Sequence, residues 1–105
     1  MPKRVSIFVL FAGMVMGQNA DGGKRLFLKN GCYECHGTVG QGGTGPRLAP
    51  RPLALAALLA YIRQPAAAMP PYSSKIMPDS EVADVRAYLA TIPEPPPEQR
   101  RRKYR

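Results

Sequence analysis

Cys32-Tyr33-Glu34-Cys35-His36 constrains this chain more than any other stretch. Two thiols three positions apart can reach two groups on one edge of a flat macrocycle. The residue that follows can turn an imidazole beneath it. That is the attachment sequence of a c-type haem: adjacent vinyl groups take the sulfurs as thioethers, and a neutral imidazole nitrogen binds the iron. The chain holds two cysteines and one histidine in all, so rival readings can be weighed by counting. A structural zinc site wants four ligands, and these three donors are crowded into five positions. A thioredoxin-like dithiol sits beside a βαβ pattern, and none is visible. A disulfide across two intervening residues would close a small loop with little structural purpose. The expected cofactor is therefore one haem c, covalently attached through Cys32 and Cys35, with His36 on the iron.

The start of the chain reads as an export signal. Lys3 and Arg4 precede an apolar run from Val5 to Met16, and Val15 and Gly17 are small residues before a cut at Gln18. The run is too short to span a bilayer comfortably; an uncleaved anchor is the alternative. Residues 1–17 are thus expected to be a signal peptide, residues 18–93 one small domain, and residues 94–105 a tail. A domain this small buries a modest core, and a bonded haem would enlarge it. Without haem the polypeptide is expected to be mostly unfolded. Export agrees with the motif, so the expected location is the bacterial periplasm.

The formal charge of +8 needs dissecting. Lys3 and Arg4 leave with the signal, and the tail carries Arg100, Arg101, Arg102, Lys103 and Arg105 against Glu94 and Glu98. The body is only mildly basic. In an exported protein such charge points to acidic docking surfaces on partner proteins, or to weak contact with anionic lipid through the tail, and not to nucleic acid. A solvated, disordered end is the plainer reading of the tail. Pro93, Pro95, Pro96 and Pro97 stop any helix and make it extended.

Helical spacing predicts three or so helices with long loops between them, an all-α fold. The first covers 21–30, with Asp21 as cap, Leu26 and Phe27 at helical spacing, and Gly31 as the stop. Residues 37–51 carry five glycines before Pro46 and Pro50 break any regular structure, so a loop is expected there. Pro52 suits the first position of the next helix, whose apolar stripe is Leu55, Leu58, Leu59 and Ile62. Pro65 ends it. The last helix runs from about Asp79 to Ile92, capped by Asp79 or Met77.

His36 is the only histidine, so a second axial ligand must be something else. Met69 and Met77 are the thioethers left after the signal. Prolines 70 and 71 stiffen the backbone after Met69 and can present its side chain to an open haem face. Met77 sits at the mouth of the last helix, where an apolar side chain turns inward. Met69 is the expected ligand, with Met77, Lys75 or an open iron as alternatives.

With these segments in order, residues 21–93 resemble the class I, mono-haem c-type cytochromes. Gly23-Lys24-Arg25-Leu26-Phe27 ahead of Gly31-Cys32 is similar to the family's first helix, and Gly45-Pro46-Arg47-Leu48 to its loop on the histidine side. Met69-Pro70-Pro71-Tyr72 is similar to its ligand loop, and Asp79 to Leu89 to its final helix. The resemblance makes 18–93 a cytochrome c domain with the small cytochrome c-like fold. It implies that the Pro46 carbonyl meets the free ring nitrogen of His36, and that Gly23 and Phe27 meet Tyr88 and Leu89 where two helices cross. Arg47 and Tyr61 are candidates to meet a haem propionate. Pro78 departs from the pattern, in which many relatives carry a capping serine.

Function follows as an expectation. With both axial positions filled, iron has no place for substrate, and the chain would be a periplasmic one-electron carrier rather than an enzyme. The alternative is a haem-bearing electron-transfer subunit of a larger exported oxidoreductase. A gas sensor or enzyme with a labile methionine is a third class.

Overall fold

The computed structural model describes residues 18–98. The expected signal peptide and residues 99–105 of the expected tail lie outside the described residues. Four helices follow one another: α1 (Ala20–Lys29), α2 (Cys32–His36), α3 (Leu55–Arg63) and α4 (Asp79–Thr91). No strand occurs among the described residues, so the fold is all-α.

Each helix end has a local cause. Asn19, not Asp21, caps α1: its side-chain oxygen accepts from Gly22 N at 2.9 Å. Asp21 lies in the first turn, where a carboxylate favours the helix dipole. Asn30 closes the other end, its backbone and side-chain N–H groups both donating to Leu26 O. Gly31 follows with φ of 77°, a left-handed turn that glycine takes without a Cβ penalty. α3 begins at Leu55 and not at Pro52, because 52–54 run extended; Arg86 of α4 holds that stretch by donating to Leu53 O at 2.7 Å. The cap of α4 is Pro78, neither Asp79 nor Met77, and its carbonyl accepts from Glu81 N and Val82 N.

α1 and α4 cross at the centre of the core. A Cβ on Gly23 would stand 1.9 Å from Asp84 O, so only glycine allows the two backbones so close. Gly23 therefore meets Asp84 and Val85, one turn earlier in α4 than Tyr88 and Leu89. Phe27, with no exposure, meets Tyr88 with ring centroids 5.7 Å apart and planes at 56°, a tilted geometry that suits the ring quadrupoles. Asn19 N donates to Asp84 Oδ1 at 2.8 Å and ties the start of α1 to the same partner. Leu89, Val82, Val85, Met77, Ile62 and Ala49 complete the buried apolar core. Of α3 only Ile62 is buried; Leu55, Leu58 and Leu59 are half-covered along its stripe.

The chain after α4 folds back. Glu94 pairs with Arg51 at 3.1 Å, and Pro93, Pro95 and Pro96 line a shallow groove with Val39, Gln41, Arg47, Ala49 and Ile92. Among the described residues no helix is long and apolar enough to cross a membrane.

Candidate functional site

Cys32, Cys35 and His36 all lie on α2, a short helix bracketed by glycines. Gly31 and Gly37 both take positive φ, 77° and 84°, which explains why helical periodicity gave no sign of it. The carbonyls at its end are taken up by the glycine-rich loop: Gly45 N donates to Cys35 O at 2.8 Å, and Gly42 N to His36 O at 2.7 Å. The loop then returns over α4, with Leu48 N and Ala49 N both donating to Gly40 O.

This wrapping brings Pro46 beneath the imidazole. His36 is 7% exposed, and its Nδ1 lies 2.7 Å from Pro46 O. A carbonyl only accepts, so Nδ1 carries a proton and donates it there; in the neutral imidazole the lone pair then belongs to Nε2. Gly45 makes the approach feasible: a Cβ there would stand 2.9 Å from His36 Cε1 and 3.0 Å from Nδ1.

Neither cysteine is paired in a disulfide; Cys32 is half-buried and Cys35 exposed. Burial pushes the Cys32 thiol up from its ordinary value, partly offset by a backbone hydrogen bond. Among the described residues no group of three or more His, Cys, Asp or Glu side chains is placed to hold a metal ion.

Met69 lies on the connection from α3 to α4, residues 64–78, half-buried and packed against the core cluster. Two residues before it, Ala67 takes φ of 58°, a left-handed conformation that an alanine adopts only under constraint. Three residues after it, Tyr72 is tied at three points. Its N donates to Ile62 O at 2.8 Å, its carbonyl accepts from Arg63 Nη1 at 3.0 Å, and its hydroxyl donates to Asn30 O at 2.6 Å. The last bond ties the Met69 connection to the residues that lead into α2. Burial first, then the negative charge of Cys32, Cys35 and Glu34, raises the Tyr72 phenol above its ordinary value. Met77 is 3% exposed and belongs to the core.

These residues fit a c-type haem by the chemistry of their donors. Two cysteines share one helical turn, an imidazole turns Nδ1 to a carbonyl and so leaves Nε2 as its donor atom, and a thioether stands on a separate tethered loop. Leu26, Leu48, Leu55, Leu58, Leu59 and Tyr72 are half-covered and pack against the core cluster, so apolar surface is left for a ring to cover. Arg47 spends Nε on Ala49 O at 2.6 Å, and Tyr61 is exposed. Sequence reasoning missed Arg63 and Tyr72 as organisers of the loop. An arginine in a last helical turn reads as dipole compensation, and nothing in the pattern reveals which carbonyls it will reach.

The sequence matches the family described as cytochrome c oxidase, cbb3-type, subunit III, over residues 18–89. No curated protein and no solved structure matches it. The chain belongs to that family: it is a c-type cytochrome domain with a haem-based role in electron transfer.

Proposed function

We propose that this member of the cbb3-type cytochrome c oxidase subunit III family is an exported one-electron carrier of the class I, mono-haem kind. Its haem c is bonded to Cys32 and Cys35, with His36 Nε2 and the Met69 thioether on the iron. The observation that carries this reading is the 2.7 Å contact between His36 Nδ1 and Pro46 O. It sets the tautomer that iron needs and strengthens the imidazole as a donor. When bound, the haem supplies an iron that takes up and returns one electron, at a potential raised by the His/Met pair.

The chain's own residues do the rest. Pro46 orients the imidazole, and Gly45 leaves room for it. The Met69 connection brings a neutral thioether that needs no proton movement as the iron changes charge. The leucine stripe of α3 keeps water away. A six-coordinate iron leaves no position for substrate, so independent catalysis is not part of this reading.

Lys3, Arg4 and the apolar run after them support periplasmic placement. Residues 18–98 hold eight lysines and arginines against seven acidic residues. The positive excess that would steer an acidic redox partner thus sits mainly in the basic run at 100–105, which is also the segment that would touch anionic lipid.

The family match favours a second reading, a haem-bearing subunit held within a larger exported oxidoreductase. Gel filtration of the native protein from its host separates the two: a lone small species supports the carrier, a large co-eluting assembly the subunit. The site itself is tested by producing the exported form in a cell able to attach haem, then denaturing it. Pigment should stay with the chain. Met69→Ala should then lower the potential and open the iron to external ligands, while Met77→Ala should cost about 2–5 kcal/mol of stability without doing either. The reverse pattern would assign the ligand to Met77.

A further inference from the structure

We propose that Arg63 is the positioning residue that holds the Met69 loop closed. The inference rests on Met69 being the axial ligand, and it concerns how firmly that ligand is kept in place.

Arg63 is the last residue of α3, and Asp79 is the first of α4. Everything between them is the connection that carries Met69. Such a long stretch without regular structure is unusual in a small domain, and its ends need closing. Arg63 closes it at the neck. Nη1 donates to Tyr72 O at 3.0 Å and to Met77 O at 2.9 Å, while Nη2 donates to Asp79 Oδ1 at 2.7 Å. One guanidinium thus joins the residue where the loop departs to its middle at Tyr72 and to its return at Met77 and Asp79. No other side chain type offers so many donors in one rigid plane.

The three contacts differ in weight. The Arg63 side chain is 23% exposed and that of Asp79 is 74% exposed, so solvent screens the ion pair strongly. The two carbonyl contacts are part-buried, and charge-assisted bonds there are stronger than neutral ones. The clamp therefore acts through the carbonyls of Tyr72 and Met77. Tyr72 passes the constraint on, since its N and hydroxyl are pinned to Ile62 O and Asn30 O. Met69 lies on the stretch between these tethers and the end of α3. Without Arg63 the carbonyls of Tyr72 and Met77 lose a charged partner, the loop is held only by the Tyr72 tethers and Met77 packing, and its open form becomes more populated.

Displacement of Met69 by added imidazole reads that population. An external ligand binds the ferric iron only when the loop opens, so its apparent affinity scales with the open fraction. In the haem-loaded protein, Arg63→Gln should bind imidazole roughly tenfold or more tightly and weaken the long-wavelength absorption band of a methionine–ferric iron bond. Arg63→Lys should behave likewise, because a single ammonium keeps the charge but not the fork; it also serves if Arg63→Gln does not fold. Asp79→Asn should change little. Val85→Ala, in the α1–α4 crossing, lowers stability without removing any Arg63 contact and should leave imidazole affinity unchanged.

In a Met69→Ala background the Arg63 substitution should have no further effect, since no ligand remains to be displaced. If Met69→Ala itself leaves imidazole binding unchanged, the assignment of Met69 as ligand fails. If Met69→Ala opens the iron while both Arg63 variants bind imidazole as wild type does, the clamp is refuted. An equal gain in Val85→Ala would also refute it, by reducing Arg63 to general stability.

Discussion

His36 Nδ1 and Pro46 O stand 2.7 Å apart, although nine residues of glycine-rich chain separate them. The loop can return so closely because Gly45 presents no side chain to the ring and because Gly42 N and Gly45 N cap the carbonyls of α2. A hydrogen bond that fixes a histidine's tautomer also sets how strongly its other nitrogen donates.

Gly45→Ala should separate the two effects of that contact. The new Cβ would press on the imidazole edge at 2.9 Å and on Cys35 O at 3.2 Å, so the ring must shift and the bond to Pro46 must lengthen. The expected loss of stability is about 1–3 kcal/mol. A weaker donor favours ferrous iron, so the midpoint potential should rise with haem still attached. A redox titration checks this; an unchanged or lower potential would detach the Pro46 contact from the iron.

Gly23→Ala should be far worse than helix propensity suggests. Alanine gains about 1 kcal/mol over glycine inside a helix. Here its Cβ would fall 1.9 Å from Asp84 O, a backbone atom that cannot rotate away. Overpacking of this kind costs about 1–3 kcal/mol and sometimes more. Gly22→Ala next door meets only the Asn19 side chain at 3.2 Å and should stay within about 1 kcal/mol of wild type. Urea midpoints of the pair test the crossing; similar values would contradict the close α1–α4 approach.

Ala67→Val probes the loop before Met69. Ala67 is exposed, so packing predicts almost no effect. Its φ of 58° predicts otherwise, because a β-branched residue is poorly tolerated in left-handed backbone. A loss of about 1–3 kcal/mol is expected. A neutral result by thermal denaturation would mean that the turn is not held in that conformation.

Tyr72 should leave a signature in alkali. Its folded phenol is raised, chiefly by burial and then by Cys32, Cys35 and Glu34. A raised acid adds stability that is fully present below the unfolded phenol pKa of about 10 and fades as pH climbs through the folded value. Tyr72→Phe should therefore be less stable than wild type at neutral pH, with the gap closing only above pH of about 10. Once thioethers form, the two thiols no longer carry charge, so burial and Glu34 alone sustain the shift. Denaturation midpoints of both proteins across that pH range decide it; a gap that closes near neutrality would point to another group.

Much of this chain was legible from residue order. The cysteine–histidine spacing names a cofactor chemistry because two thioethers and one imidazole must meet a rigid ring at fixed distances. Apolar spacing located α1, α3 and α4, since a helix that buries one face must repeat at its own period. Their caps were less legible. Asn19 and Pro78 replaced the expected Asp21 and Asp79 or Met77 because a cap is chosen by which side chain or carbonyl reaches the free N–H groups. Pro52 was bypassed as a helix start because Arg86 holds the preceding strand of chain along α4.

Only tertiary structure decided the contacts between distant segments. Gly23 against Asp84, Tyr72 on Asn30, and Arg63 on both Tyr72 and Met77 join elements that no local pattern relates. The sequence determined which groups could bind a haem; chain packing determined which carbonyls and amides hold those groups in position. The reason is physical: donor chemistry belongs to single side chains, whereas hydrogen-bond partners are set by the path of the whole backbone.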